Sequence, residues 1–182
     1  MLTIGIDEVG RGSLAGPLVI GVVVLEHNIE GLKDSKLLTS NKRRCLNQLI
    51  KASSKYCSTG WVWPKEIDRL GLSKATKLAI ERAIQPINTY VYKILIDGNY
   101  NFLKDQRVET IIKGDQTVPE ISAASIIAKV SRDNFMNNLN SSISGYGFDT
   151  NVGYGTKQHL EAIKSKGASS LHRRSFIRNN SF

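Results

Sequence analysis

The 182-residue sequence predicts an α/β protein with a mixed β-sheet flanked by helices. Two strand-like runs near the amino terminus are joined by a glycine-rich connection. Amphipathic helical segments then alternate with further short β-rich runs. A long segment after Pro119 carries alanines and serines on its apolar stripe, small enough for a helix to lie close against a sheet.

In chain order, Leu2-Thr3-Ile4-Gly5-Ile6 alternates as a strand does, and Asp7 to Gly16 supplies glycines and turn residues. Leu18 to Leu25 is nearly continuous in β-branched residues, which suits a strand buried on both faces. Thr39 or Ser40 opens a helix with Cys45, Leu46, Leu49 and Ile50 on one side and Lys42, Arg43 and Arg44 around them. Tyr56 to Trp63 reads as a strand ended by Pro64. A helix from about Ser73 stops at Pro86, because the residue before proline avoids helical geometry. Tyr90 to Ile96 is a strand ending at Asp97-Gly98-Asn99, and Val108 to Ile112 is a shorter one ending at Lys113-Gly114-Asp115. The helix after Pro119 presents Ile121, Ala124, Ala128, Ser131, Phe135 and Leu139. Asn140 to Gly155 reads as loop, and a last helix runs from about Thr156 to Gly167. Residues 1–182 are expected to form one domain.

Lys and Arg number 25 against 16 Asp and Glu, a net charge of +9. A basic excess in a compact chain points to a polyanionic partner, nucleic acid first and an acidic membrane surface second. The longest apolar run, Leu18 to Leu25, is far short of the roughly 20 residues that span a bilayer. The amino terminus has no basic or apolar leader, so a cytoplasmic location is expected. Cys45 and Cys57 fall in no metal-binding or redox spacing and fit a reducing compartment. A monomer is expected, since no apolar stripe is left over once the helices pack.

Acidic residues stand where predicted strands end: Asp7-Glu8, Asp97 and Asp115. In open α/β sheets ligands gather outside strand ends, where carboxylates from distant parts of the chain converge. Asp7 and Glu8 share a site only if the chain leaves the strand at Glu8, because strand side chains alternate. Clustered acids repel unless cations neutralise them, and an all-oxygen set favours Mg²⁺ or Mn²⁺ over zinc. The bland alternatives stand beside this reading. Asp97-Gly98 is a turn former, Lys113-Gly114-Asp115 carries a weaker signal still, and Asp133 reads as a surface ion-pair partner. Asp7-Glu8-Val9-Gly10-Arg11-Gly12 is harder to set aside. It joins acids to a basic loop whose glycines let main-chain N–H groups approach a sugar-phosphate.

These residues, together with Leu32-Lys33-Asp34-Ser35-Lys36-Leu37-Leu38, Ile94 to Asn99, Lys113-Gly114-Asp115, Ile121 to Val130, Gly153-Tyr154 and His172 to Phe176, resemble bacterial ribonuclease HII from Ile4 to Phe176. The resemblance implies a ribonuclease H-like fold with a small helical carboxy-terminal part, about residues 140–182. It implies metal-binding, catalytic carboxylates at Asp7, Glu8 and Asp97, with Asp115 as the fourth acid rather than Asp133. It also implies that Gly10, Arg11 and Gly12 read the ribose 2′-OH and that Tyr154 packs on the neighbouring deoxyribose. Ser13 stands where such proteins often have proline, an expected loosening of the loop. Asn151-Val152 stands where His-Lys is common, an expected loss of a phosphate contact.

The activity so implied is hydrolysis of RNA in RNA–DNA hybrids and cleavage 5′ to ribonucleotides embedded in duplex DNA. The products would be a 3′-OH and a 5′-phosphate, with two Mg²⁺ or Mn²⁺ ions at the site. Lys36, Arg43, Lys129 and Arg173 are candidates for contacts to the nucleic-acid backbone. His172, beside two arginines, reads as a structural or phosphate-binding residue ahead of an acid–base one. Two other readings compete: a module that binds hybrid duplex without cutting it, and a Mg²⁺-dependent hydrolase of small phosphoesters.

Overall fold

The computed structural model describes residues 3–32, 38–87 and 93–179. Strands β1 (Thr3–Val9), β2 (Leu18–Leu25), β3 (Ser54–Val62), β4 (Lys93–Asp97) and β5 (Val108–Ile111) form one sheet in the order β3-β2-β1-β4-β5. β1 pairs antiparallel with β2 and β2 with β3, whereas β1–β4 and β4–β5 are parallel. The sheet is therefore mixed, as the sequence predicts. The expected start of β4, Tyr90 to Tyr92, lies outside the described residues.

The helices are α1 (Ser40–Ser53), α2 (Pro64–Leu70), α3 (Leu72–Ile84), α4 (Gly114–Thr117), α5 (Pro119–Ser142), α6 (Phe148–Asn151), α7 (Lys157–Lys166) and α8 (Arg174–Asn179). All of β2 is buried because helices cover both faces of the sheet. Ile4, Ile6, Ile20 and Val22 pack with Ala79, Ile80 and Ala83 of α3. Val23 and Leu25 pack on the other face with Leu46 and Ile50 of α1 and Ala123, Ala124 and Ile127 of α5. The predicted close approach of the long helix is real: a Cβ on Gly21 would fall 2.1 Å from the Ala124 carbonyl oxygen.

A third cluster joins Leu14 and Ala15 of the β1–β2 connection to Met136, Tyr146, Phe148, Ala162 and Ile163. The carboxy-terminal part thus packs directly on that connection. An isolated antiparallel bridge between Ala15 and His172 strengthens the join.

Several local expectations change. Pro64 ends β3 but also opens α2, since a first-turn proline lacks only an N–H the helix does not need. Six-residue α8 is too short to show periodicity. The Asp68 carboxylate supports its start by accepting the main-chain N–H groups of Arg174 (2.9 Å) and Ser175 (3.0 Å). α5 continues to Ser142, and the single turn α6 lies within the stretch read as loop. On α1, Leu46 and Ile50 are buried, but Cys45 and Leu49 face outward. No described helix is long and apolar enough to cross a membrane.

Candidate active site

Ile6 of β1 lies opposite Ile96 of β4, so Asp7 and Asp97 follow at the same end of two parallel neighbours. Asp7 is only 8% exposed. Its carboxylate accepts the Glu8 N–H at 2.7 Å and the hydroxyl of Ser125 on α5. Burial pushes its pKa up to about 7, and the negative charges of Asp97 and Glu8 push the same way. Asp97 Oδ1 accepts the N–H of Gly114 at 2.7 Å and, more loosely, that of Asp115 at 3.4 Å, where α4 begins. Asp115 is itself buried. β1, β4 and the β5–α4 junction thus bring three of the predicted acids to one end of the sheet.

Glu8 behaves differently from the sequence expectation. β1 stays paired with β2 through Val9, with Glu8 opposite Ile20, so Asp7 and Glu8 leave opposite faces of the strand. Glu8 turns to Arg11, whose Nη1 lies 3.0 Å from Oε1. Its charge still bears on Asp7. Among the described residues, no three acidic, histidine or cysteine side chains close on a common point as they would around an ion. The donor set nevertheless fits a divalent oxygen-preferring cation: the residues are carboxylates, and the ionised form of Asp7 stands in a negative surrounding that a cation would relieve.

The Gly10–Pro17 connection runs beside these acids. Gly10 has φ +81°, and a Cβ there would fall 2.2 Å from Nε of Arg132, so only glycine fits. Arg11 and Gly12 are exposed, and the Arg11 guanidinium also stands 5.5 Å over the Phe102 ring. Ser13 does not loosen the loop. It is fully buried, and its hydroxyl donates to the Gly10 carbonyl and accepts from Arg132 Nη2, both at 2.9 Å.

Arg173 corrects an expectation: it is fully buried and cannot meet a phosphate from there. Its guanidinium donates to the carbonyls of Gly10 (2.6 Å), Arg11 (2.9 Å) and Gly16 (3.0 Å). Desolvation and the neighbouring Arg132 charge lower its pKa. Arg132, also fully buried, went unrecognised in the sequence. The available signal was its place four residues after Ala128 and seven after Ser125, on the helix face that meets the sheet.

Tyr154 lies next to this loop. The preceding Gly153 carbonyl accepts the N–H groups of Leu14 (2.8 Å) and Ala15 (3.1 Å), and the Tyr154 ring stands 5.5 Å from the Arg132 guanidinium. Tyr154 keeps an exposed edge. Asn151 is internal, donating to the Tyr146 carbonyl at 2.6 Å and accepting the Gly153 N–H at 2.8 Å. Of the backbone-contact candidates, Lys36 lies outside the described residues. Arg43 lines an open cleft between α1 and α5 with Arg44, Asn134 and Asn137. Lys129 pairs with Asp133 at 2.9 Å, the ion-pair role expected of that aspartate.

A family model described as Ribonuclease HII matches residues 4–179. The ribonuclease HII of Pelagibacter ubique (strain HTCC1062) is 49% identical over 175 residues, covering 94% of each chain. Among solved structures, the ribonuclease H2 from Pyrococcus horikoshii OT3 superposes with a TM-score of 0.78 at 31% identity, over 98% of this chain and 96% of that one. The RNase HII of Archaeoglobus fulgidus, solved in complex with PCNA, gives a TM-score of 0.78 at 25% identity, over 95% and 94%. Family match, overall identity and fold agree: the chain belongs to the ribonuclease HII family of metal-dependent ribonucleases H.

Proposed function

We propose that this enzyme cuts the RNA strand of RNA–DNA hybrids and also cuts 5′ to ribonucleotides embedded in duplex DNA, leaving a 3′-OH and a 5′-phosphate. The observation that carries the proposal is the juxtaposition of Asp7 and Asp97 at the ends of adjacent parallel strands, with Asp115 buried beside them. Asp7, Asp97 and Asp115 would hold Mg²⁺ or Mn²⁺, two ions in the catalytic complex; Glu8, the fourth acid the resemblance offers, would join them only by leaving Arg11 and turning over the end of β1. When bound, such ions supply a water of lowered pKa as nucleophile and neutralise charge on the leaving 3′ oxygen.

The protein's own groups prepare that site. Ser125 and the Glu8 N–H hold the Asp7 carboxylate, while the Gly114 and Asp115 N–H groups hold that of Asp97. Both carboxylates are therefore oriented before substrate arrives. The Gly10-Arg11-Gly12 turn faces outward beside them and would accept a ribose 2′-OH, the group that separates RNA from DNA. Tyr154 would pack on the next sugar. Arg43 and Lys129, with Lys36, would contact phosphates without reading bases. Residues 1–182 act as one catalytic unit and a monomer in this reading.

Three duplexes test it: all DNA, DNA with one ribonucleotide, and RNA–DNA hybrid, each with Mg²⁺, Mn²⁺ or EDTA. Cleavage of both ribose-containing duplexes with metal, and of none with EDTA, is expected. Binding that survives EDTA with no cut under any condition would instead favour a non-cleaving module. Failure to bind or cut any duplex, with hydrolysis of a small phosphate ester, would favour the small-substrate hydrolase.

A further inference from the structure

Arg132 reaches two segments that lie some 140 residues apart in the chain. Its Nε donates to the Pro17 carbonyl at 2.9 Å, and Nη2 donates to Ser13 Oγ at 2.9 Å and the Ala15 carbonyl at 3.1 Å. The remaining nitrogen, Nη1, donates to the Val152 carbonyl at 2.8 Å. All four bonds end on carbonyl or hydroxyl oxygens and none on a carboxylate. A fully buried guanidinium is an expensive element, and these oxygens take up four of its five N–H groups.

Val152 adds an independent observation. It has φ +42°, a strained left-handed conformation that a β-branched residue rarely adopts. The carbonyl of this strained residue is the one Arg132 holds, immediately before Gly153 and Tyr154. Ser13 extends the same clamp inward, since its hydroxyl passes the contact from Arg132 to the Gly10 carbonyl. Arg173 has no such span: its guanidinium bonds all fall on the Gly10–Gly16 loop.

We propose that Arg132 is a positioning residue that fixes the distance between the Gly10-Arg11-Gly12 turn and Tyr154, and thereby sets the preference for a ribonucleotide followed by a deoxyribonucleotide. This rests on the roles proposed above for that turn and for Tyr154. Arg132 itself touches no substrate. A site that must grip two successive sugars depends on the spacing of its two grips. Inside a long hybrid the second sugar is not a deoxyribose, so the spacing matters less there.

The test compares kcat and KM on a duplex with one embedded ribonucleotide and on a long RNA–DNA hybrid, for the wild type and for Arg132→Lys, Ser13→Ala, Arg173→Lys and Tyr154→Ala. Thermal melts verify that each variant folds. Arg132→Lys keeps the charge but loses the planar fork, and it should lower kcat/KM on the single-ribonucleotide duplex about tenfold more than on the hybrid. Ser13→Ala should shift the ratio in the same direction by less. Arg173→Lys should lower both substrates alike. If Tyr154→Ala shifts the substrate ratio while folded Arg132→Lys leaves it unchanged, the positioning role is wrong. If Arg132→Lys fails to fold, an unchanged ratio in Ser13→Ala has the same meaning. If Tyr154→Ala itself leaves the ratio unchanged, the reading of Tyr154 fails and this inference falls with it.

Discussion

His159 and His172 meet ring to ring, with their Nε2 atoms 3.0 Å apart in the interior. Ser169 N–H donates to Nδ1 of His172 at 3.0 Å, so the His172 proton sits on Nε2 and is donated to His159. His159 then carries its own proton on Nδ1 and donates it to the Tyr154 carbonyl at 2.8 Å. The chain closes only with both rings neutral. Burial lowers both pKa values, that of His172 to about 4, with the His159 charge as a further cause there. Buried His172 thus supports the Tyr154 carbonyl only through His159.

The histidine pair and Asp7 pull stability in opposite directions across one pH window. Unfolded His172 binds a proton below about pH 6.5 while the folded residue refuses it until about pH 4, so this group removes stability as pH falls from 6.5 to 4. Asp7 has a raised folded pKa of about 7 against 3.8 for the free side chain. In metal-free protein it therefore favours folding at low pH and loses that contribution as pH rises from 4 to 7. Melting temperatures of metal-free Asp7→Asn should fall more steeply on acidification than those of the wild type. His172→Asn should show the reverse, a melting temperature that falls less steeply on acidification than that of the wild type.

Divalent cation should stabilise the protein, and more at higher pH. Binding requires ionised Asp7, so it must displace the proton held there near neutrality. The rise in melting temperature on adding Mg²⁺ or Mn²⁺ should be larger at pH 8 than at pH 6. In Asp7→Asn and Asp97→Asn it should shrink or vanish.

Gly21→Ala tests the packing of α5 on the sheet. The added methyl would fall 2.1 Å from the Ala124 carbonyl oxygen, a main-chain atom that moves only with its helix. Since Ser125 on that helix holds Asp7, we expect a loss of about 2 kcal/mol in urea unfolding together with reduced cleavage.

Asp68→Ala tests the support of α8. Its carboxylate accepts two main-chain N–H groups at the start of that helix, and the loss should be about 1 kcal/mol, as for a missing helix cap. Cleavage should change little, because Arg173 keeps its own bonds to Gly10 and Gly16.

The parts of the fold with strong periodicity were legible. β2 reads as buried on both faces and is so, and the small residues of α5 announce the close contact at Gly21. α6 and α8 were not, because single turns and six-residue helices depend on contacts from elsewhere in the chain. At the site, Asp7 and Asp97 stand at strand ends in the sequence, whereas Asp115 carries only a weak signal there and is singled out over Asp133 by the family resemblance alone. The orientation of Glu8 could not be read there, because it depends on β1 holding its register with β2 as far as Val9. Arg132 and Arg173 look like surface charge in sequence. What makes them internal is a loop whose carbonyls turn inward, a feature of tertiary structure alone.

In the proposed function, the acids at the ends of β1 and β4 direct metal-dependent cleavage beside a ribose. The most direct measurement maps the product ends from a duplex with one ribonucleotide, using the wild type and Asp97→Asn. One cut on the 5′ side of the ribonucleotide is expected, leaving a 3′-OH and a 5′-phosphate, abolished by EDTA and reduced about a hundredfold or more in Asp97→Asn. A cut on its 3′ side that leaves a 2′,3′-cyclic phosphate and persists in EDTA and in Asp97→Asn would contradict it.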